Sequence, residues 1–417
     1  MKVDTNPRKI KALINSRFVD KIYPSRAKFE EVLRSGKRLT VYHGVDPTAP
    51  DLHLGHSTNF LLLRELQKLG HRIILLVGDF TARIGDPTDK LSARQPLTEK
   101  EVKNNSKTYK NQAGKILSFT GTNPAEIAFN SRWLKRMNFE DLIKLSAKLT
   151  HAQIIKRDMF RRRIKEDKEI FLHEFLYPLM QGYDSVALRT DAEIGGTDQT
   201  FNMLVGRDLE KAYLNKEKFV ITTPLLENPK TGRKLMSKSE GGYISIQDNA
   251  AEMYGKVMSL PDEAIIPCLK FCTLYPEEEI RKIEKSLKDK KLNPRDAKMI
   301  LAFEVVSLYH GKNKAKAADD EFRKVFQQKE LPRKIVEIQI PRDRLKGVDV
   351  LDLVVHIGIV EKKFLKSRNQ AWKLIEQGGF RLNGTQLTNP RQYLGDTLKN
   401  GNVVKIGKLR FFKIKIT

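Results

Sequence analysis

Two runs of β-branched and aliphatic residues, Arg38 to Val45 and Arg72 to Gly78, stand either side of a segment with a different rhythm. In that segment Phe60, Leu63, Leu66 and Leu69 recur at three-residue steps, while Arg64, Glu65, Gln67 and Lys68 take the other face. One apolar stripe with a polar remainder predicts a helix, and the runs around it predict strands. Strand, crossover helix and strand imply parallel pairing in an open, doubly wound, Rossmann-like α/β sheet. Such sheets bind ligands beyond the C-terminal ends of their strands. The loops at those ends hold Asp46-Pro47-Thr48 and Gly78-Asp79-Phe80-Thr81, followed by Gly85-Asp86-Pro87.

From about Ser92 to Lys168 the pattern turns polar and helical and includes the run Arg161-Arg162-Arg163, which reads first as a solvated face and second as a contact for nucleic-acid phosphates. This predicts an insertion, at about 92–180, between two halves of the sheet. The sheet is expected to resume through Tyr183 to Thr190 and Phe219 to Thr223. Between them Gly195-Gly196-Thr197-Asp198-Gln199 reads as a glycine turn feeding a helix with Phe201, Leu204 and Val205 on its apolar side. Residues 250–328 read as mostly helical. Lys329 to Arg342, with Pro332 and Pro341, reads as a linker or an edge segment. A final unit follows, with a helix over Arg368 to Gln377, a Gly378-Gly379 stop and a hairpin at Phe380 to Gly384. Strands at Val403 to Ile406 and Arg410 to Ile416 close it. The expected division is 1–230 for the nucleotide fold, 231–330 for a loop and helical domain, 331–347 for a linker, and 348–417 for a small α+β domain.

Length and composition agree with this division. A chain of 417 residues exceeds one compact core. Its 40% hydrophobic content supports buried cores, and no apolar run approaches a membrane span. Met1 to Arg17 lacks the apolar stretch of a secretory signal and reads as a basic helix. The only cysteines, Cys268 and Cys272, sit four apart, which fits packing in a helix and a reducing, cytoplasmic compartment. The net charge of +26 changes the picture more. A general bias toward lysine accounts for part of such an excess, so its distribution matters. From Leu351 onward there are 13 Lys and Arg against 4 Asp and Glu, a local net charge of +9. That tail reads as an RNA- or DNA-binding module, because neutralising phosphates is what such a surface does well.

Two tetrapeptides carry the candidate chemistry: His53-Leu54-Gly55-His56, and Met236-Ser237-Lys238-Ser239 farther along the chain. The first falls where a strand turns into a helix, whose N-terminus offers free N–H groups and a positive dipole end to a phosphate. Gly44 and Gly55, without a Cβ, let nucleotide and backbone approach closely. His53 and His56 are placed to donate to phosphate or ribose oxygens. The second tetrapeptide brings a serine-flanked lysine suited to a departing pyrophosphate. Each alone is a weak signal, and two histidines at a helix start are commonly nothing more. As an ordered pair they point to an ATP site.

The stretch from Tyr42 to His56, Tyr-His-Gly-Val-Asp-Pro-Thr-Ala-Pro-Asp-Leu-His-Leu-Gly-His, resembles the ATP signature of the class I tyrosyl-tRNA synthetases. Gly85-Asp86-Pro87, Tyr177-Pro-Leu-Met-Gln-Gly-Tyr-Asp184 and Gly195-Gly-Thr-Asp-Gln199 resemble further blocks of that family, in its order. The last unit resembles the S4-like RNA-binding domain of its bacterial members. The resemblance runs from about residue 30 to the end. It implies that His53, His56 and Thr48 contact ATP as pyrophosphate leaves, with Lys238 completing the clamp. Gly44, Asp46, Gly55, Asp198, Met236, Ser237 and Ser239 would complete the ATP site, Asp198 holding a ribose hydroxyl. Asp86, Tyr177 and Gln181, with Thr81 nearby, would bind the tyrosine ammonium. Tyr42 and Asp184 would meet its phenol, and Gln199 would lie along the substrate. It further implies tRNA(Tyr), tyrosine and ATP with Mg²⁺ as partners, a homodimer, and no metal held by the protein itself.

One departure stands out. The first lysine of the family's Lys-Met-Ser-Lys-Ser loop is Leu235 here, with Lys234 one place earlier. Glu193 stands where many relatives have glutamine, and no function is attached to it. Blander readings exist as well: helix N-caps for Asp86 and Asp198, a half-buried core tyrosine for Tyr177, and a strand-end acid paired with Arg189 for Asp184. Rival functions are a tryptophanyl-tRNA synthetase, a nucleotidyltransferase with an HxGH loop, and a non-catalytic RNA-binding relict. Adenylate formation is in-line attack on phosphorus, so positioning and charge stabilisation suffice and no protein nucleophile is required.

Overall fold

The computed structural model describes residues 2–87, 97–155, 157–236, 242–326, 335–342, 347–362, 364–395, 397–407 and 410–417. The chain divides into two compact units, Met1–Asp319 and Asp320–Thr417.

The first unit is built on a six-stranded sheet. Its strands are β1 (Ile22–Tyr23), β2 (Thr40–Val45), β3 (Arg72–Val77), β4 (Glu126–Phe129), β5 (Ala192–Gly196) and β6 (Phe219–Thr223), in the order β1-β6-β5-β2-β3-β4. All neighbours run parallel except β1 against β6. Strands β3, β5 and β6 are apolar or small along nearly their whole length and almost fully buried, as expected for a parallel sheet covered on both faces. From β2 the chain builds outward through β3 to β4, then returns to build β5 and β6 on the other side. The topological switch point therefore lies between β2 and β5, where a ligand crevice is expected.

The crossover helix Ser57–Lys68 forms as predicted, and Phe60, Leu63 and Leu66 are buried. The expected strand over Tyr183 to Thr190 does not form. Tyr183 to Leu188 is the last part of the 17-residue helix Leu172–Leu188, which ends at Arg189 in a left-handed conformation. Leu176, Leu179, Tyr183 and Val186 repeat at three and four residues and pack in one cluster with Val205 and Leu209. A window opening at Tyr183 sees too little of that period to separate helix from strand. The strand lies just downstream, as β5, where a glycine turn was expected. Gly182 lets this helix approach the helix Thr200–Leu214, because a Cβ there would lie 3.1 Å from the Gly206 backbone nitrogen and 2.9 Å from Leu209 Cδ1.

The insertion is largely helical, but it also contributes β4 at the sheet edge. Its arginine run is not simply solvated. Arg163 is fully buried on the inner face of the helix Asp158–Lys165 and pairs with Glu174 at 2.6 Å. Cys268 and Cys272 are buried in the helix Ile265–Cys272.

The second unit has a five-stranded sheet of β7 (Val336–Ile340), β8 (Phe380–Leu382), β9 (Thr385–Gln386), β10 (Val403–Ile406) and β11 (Arg410–Ile416), ordered β7-β11-β10-β8-β9. The expected hairpin joins β8 to β9 through Asn383 and Gly384, both at positive φ. The helices Val350–Val355 and Arg368–Glu376 supply Val350, Leu351, Leu353, Val354, Ala371 and Ile375 to its core.

Candidate active site

A cavity of about 380 Å³ opens beyond the C-terminal ends of β2 and β5. Strand β2 and its following loop bring Tyr42, Gly44, Asp46 and Thr48 to it. The 3-10 turn Leu54–His56 adds His53, Gly55 and His56, and the loop after β3 adds Thr81 and Asp86. The helix Leu172–Leu188 presents Tyr177, Gln181 and Asp184, spaced four and three apart and so on one face. Asp198 and Gln199 enter from the turn after β5, and Met236 also lines the cavity. Fifteen residues expected at the site thus line one cavity. Ser237, Lys238 and Ser239 lie outside the described residues.

The two motif histidines fold on each other, with ring centroids 4.2 Å apart. His53 Nδ1 accepts from the Gly55 amide at 3.1 Å, so in the neutral ring the proton sits on Nε2 as a donor. This fold needs glycine at 55, since a Cβ there would sit 2.8 Å from His53 Cε1. Burial lowers the His53 pKa to about 2, with His56 adding to the effect. Burial, with His43 beside it, takes His56 to about 4. Both are therefore neutral at pH 7, and His53 Nε2 is a donor.

Asp46 joins the two halves of the cavity. Its Oδ2 accepts from Tyr177 Oη at 2.9 Å and its Oδ1 from Thr81 Oγ1 at 2.7 Å. Tyr177 is buried, with its hydroxyl anchored to Asp46 in the cavity wall. Asp86 Oδ2 accepts from Gln199 Nε2 at 2.7 Å. Asp198 Oδ2 pairs with Lys234 Nζ at 2.7 Å, so Lys234 reaches the cavity while Leu235 is buried.

Asp184 sits on a helix and does not bond to Arg189. Its carboxylate accepts from Trp133 Nε1 at 2.8 Å and from Asn130 Nδ2 at 3.2 Å. Burial pushes its pKa well up, while those two donors pull it down. Asn130 also donates to Thr81 Oγ1 at 3.0 Å and accepts from the Phe80 amide at 2.9 Å. Sequence reasoning missed Asn130 and Trp133, which follow β4 and lie about 50 residues from Asp184 along the chain. It also missed His43 and Asn59. His43 Nδ1 bonds the Ile194 carbonyl at 2.8 Å, and Asn59 Oδ1 accepts from Thr223 Oγ1 at 2.6 Å. Both line the cavity.

Such a cavity has a carboxylate-rich end suited to a cation, a buried acceptor suited to a hydroxyl, and neutral donors suited to phosphate oxygens. Comparison with known proteins agrees with that chemistry. The family model of class I tRNA synthetases (W and Y) matches residues 34–327. Over 385 residues the chain is 44% identical to the tyrosine–tRNA ligase of Thermotoga maritima, covering 92% of each chain. It is 43% identical over 419 residues to that of Carboxydothermus hydrogenoformans, covering 99% of each. A solved structure of the C-terminally truncated mitochondrial tyrosyl-tRNA synthetase of Aspergillus nidulans aligns with a TM-score of 0.61 at 26% identity, over 76% of this chain and 94% of that one. The chain belongs to the class I tRNA synthetases for tryptophan and tyrosine, and within them to the tyrosine–tRNA ligases.

Proposed function

We propose that the cavity activates tyrosine with ATP and that the enzyme then passes the tyrosyl group to the 3′-terminal ribose of tRNA(Tyr). The observation that carries this reading is the meeting of the Tyr177, Gln181 and Asp184 helix face with Asp86 and the histidine turn in one cavity. Asp86, Gln181 and the Tyr177 oxygen take the ammonium. Asp184 and Tyr42 take the phenol hydroxyl, and Gln199 lies along the substrate. A carboxylate oxygen of tyrosine then attacks the α-phosphorus in line, the bond to the β-phosphate oxygen breaks, and pyrophosphate leaves. His53 and His56 donate to the phosphate oxygens as charge grows there, with Thr48 beside them, and Lys238 is assigned to the leaving group. Mg²⁺ enters with ATP as part of the substrate. Asp198 serves the ribose, and its bond to Lys234 supports a part for that lysine in nucleotide binding.

The tail from about residue 348 serves as the S4-like RNA-binding domain. Its excess of cations supports this, as do Arg410 lying 4.4 Å from the Phe364 ring centroid and Arg391 lying 5.6 Å from that of Trp372. A homodimer is supported by large exposed apolar side chains in and near the insertion, Phe139 at 77% and Leu172 at 82%. No described helix is long and apolar enough to cross a membrane, and a cytoplasmic enzyme is the reading we adopt. ATP–pyrophosphate exchange measured with each of the amino acids tests the activity. Exchange driven by tyrosine alone is expected, and exchange driven by tryptophan or by no amino acid defeats the reading.

A further inference from the structure

At the wall of the cavity stands an ion pair of which Glu193 lines the cavity and Lys218 does not. Lys218, just before β6, and Glu193, on β5, have side-chain exposures of 0% and 3%, and the ammonium donates to Glu193 Oε2. Burying two charges is costly, and an apolar pair of similar volume is often at least as stable, so stability alone does not explain it. Each member makes a second bond, and the two bonds lead to different parts of the cavity. Lys218 Nζ donates to Ser185 Oγ at 2.7 Å, and Ser185 Oγ lies 2.8 Å from Tyr42 Oη. Glu193 Oε1 accepts from Gln181 Nε2 at 3.3 Å, while Gln181 Oε1 accepts from Asn202 Nδ2 at 2.9 Å.

Donor and acceptor capacity gives these bonds a direction. An ammonium has protons and no lone pair, so Ser185 must accept from Lys218. The Ser185 proton is then available to Tyr42 Oη, so Tyr42 stays a donor, its own proton shared between the Glu193 carboxylate and an oxygen in the cavity. A carboxylate only accepts, so Gln181 must turn its amide nitrogen to Glu193 and its oxygen away. A glutamine at 193 would accept either orientation of that amide.

We propose that the Glu193–Lys218 ion pair is the positioning element of the amino-acid site. Through Gln181 it presents an amide oxygen to the substrate ammonium, and through Ser185 it makes Tyr42 a donor to the substrate phenol. This inference rests on the reading of the cavity as a tyrosine site.

Pyrophosphate exchange with the full-length chain tests it, using tyrosine and phenylalanine at varied ATP. Wild type comes first, because absence of tyrosine-dependent exchange defeats the cavity reading itself. Given wild-type exchange, Glu193→Gln should raise KM for tyrosine about tenfold, with KM for ATP changed by less than about twofold. Ser185→Ala keeps the ion pair, and should lower the preference for tyrosine over phenylalanine by about 3-fold. Glu193→Gln strands a buried ammonium. If it does not fold, the double variant Glu193→Gln, Lys218→Met, which removes both charges, is measured in its place with the same tyrosine-specific rise expected. Ser185→Ala loses one oxygen and gives a reading of its own. A folded variant with wild-type KM for tyrosine and wild-type preference overturns the proposal. So do equal rises in KM for tyrosine and ATP, which would mark a purely structural pair.

Discussion

At the scale of single residues, the cavity separates neutral donors from acceptors, and both make predictions. With pKa values lowered to about 4 or below, His53 and His56 stay uncharged through the neutral range. The inflection at about pH 6.5 that an ordinary histidine would give should be missing from the pH profile of tyrosine-dependent exchange. The same depression works against the fold in acid. Stability from these buried neutral rings is present above about pH 6.5 and is lost as pH falls through about 4 for His56 and through about 2 for His53. At the acceptor end, Asp184 answers two donors, Trp133 Nε1 and Asn130 Nδ2. Asp184→Asn sets an amide N–H against one of them, while Tyr42→Phe removes only a hydroxyl. Tyr42→Phe should lower the preference for tyrosine over phenylalanine by about 5-fold, and Asp184→Asn should cost up to about 150-fold in tyrosine exchange. Equal preference in wild type and both variants would remove these residues from selection of the phenol.

Elements show what was legible in the sequence and why. Strands β2 and β3 with their crossover helix were readable because the apolar period changed from runs to steps of three over more than one turn. The site residues they carry were readable with them, since strand-end loops are where such a sheet binds. The Leu172–Leu188 helix was misread at its C-terminal end, and β5 was then taken for a turn, which hid the inward side chain of Glu193. Asn130 and Trp133 had no local signal at all, because only the β4 register brings them to Asp184. Glu210, on the helix Thr200–Leu214, was hidden for the same reason. It is fully buried, neither carboxylate oxygen has a hydrogen-bond partner among the described residues, and Lys216 Nζ comes only to 4.0 Å. Burial raises its pKa to about 7, with Lys216 opposing. A raised carboxyl contributes stability that is full below its unfolded pKa of about 4.5 and is lost as pH rises through about 7. Glu210→Gln should therefore raise Tm by about 2–4 °C at a pH of about 8 and by less at a pH of about 5, as followed by thermal unfolding. A gain independent of pH would mean that ionisation of Glu210 is not the cost.

For the molecule as a whole, the division into two units sets the cavity apart from the basic tail. Every described residue assigned to adenylate formation lies in the unit Met1–Asp319, and the tail with a local charge of +9 lies in the other. Pairing in the second sheet decides where a truncation should fall. Strand β7 runs parallel to β11, so a cut after Arg342 would keep β7 while removing its partner and leave an unpaired edge. A cut after Phe326 avoids this. That truncated chain should keep tyrosine-dependent pyrophosphate exchange within about twofold of the full chain, because no interaction with a changing charge has been removed. Aminoacylation of tRNA(Tyr) should fall by roughly two orders of magnitude, and the remaining activity should depend less steeply on salt, since fewer phosphates are neutralised. The two assays on one preparation separate the possible failures. Loss of exchange together with charging would mean that the first unit needs the second in order to fold. Charging at the full rate by a truncated chain that still exchanges would remove the tail from tRNA binding, and leave its excess of lysine and arginine as composition alone.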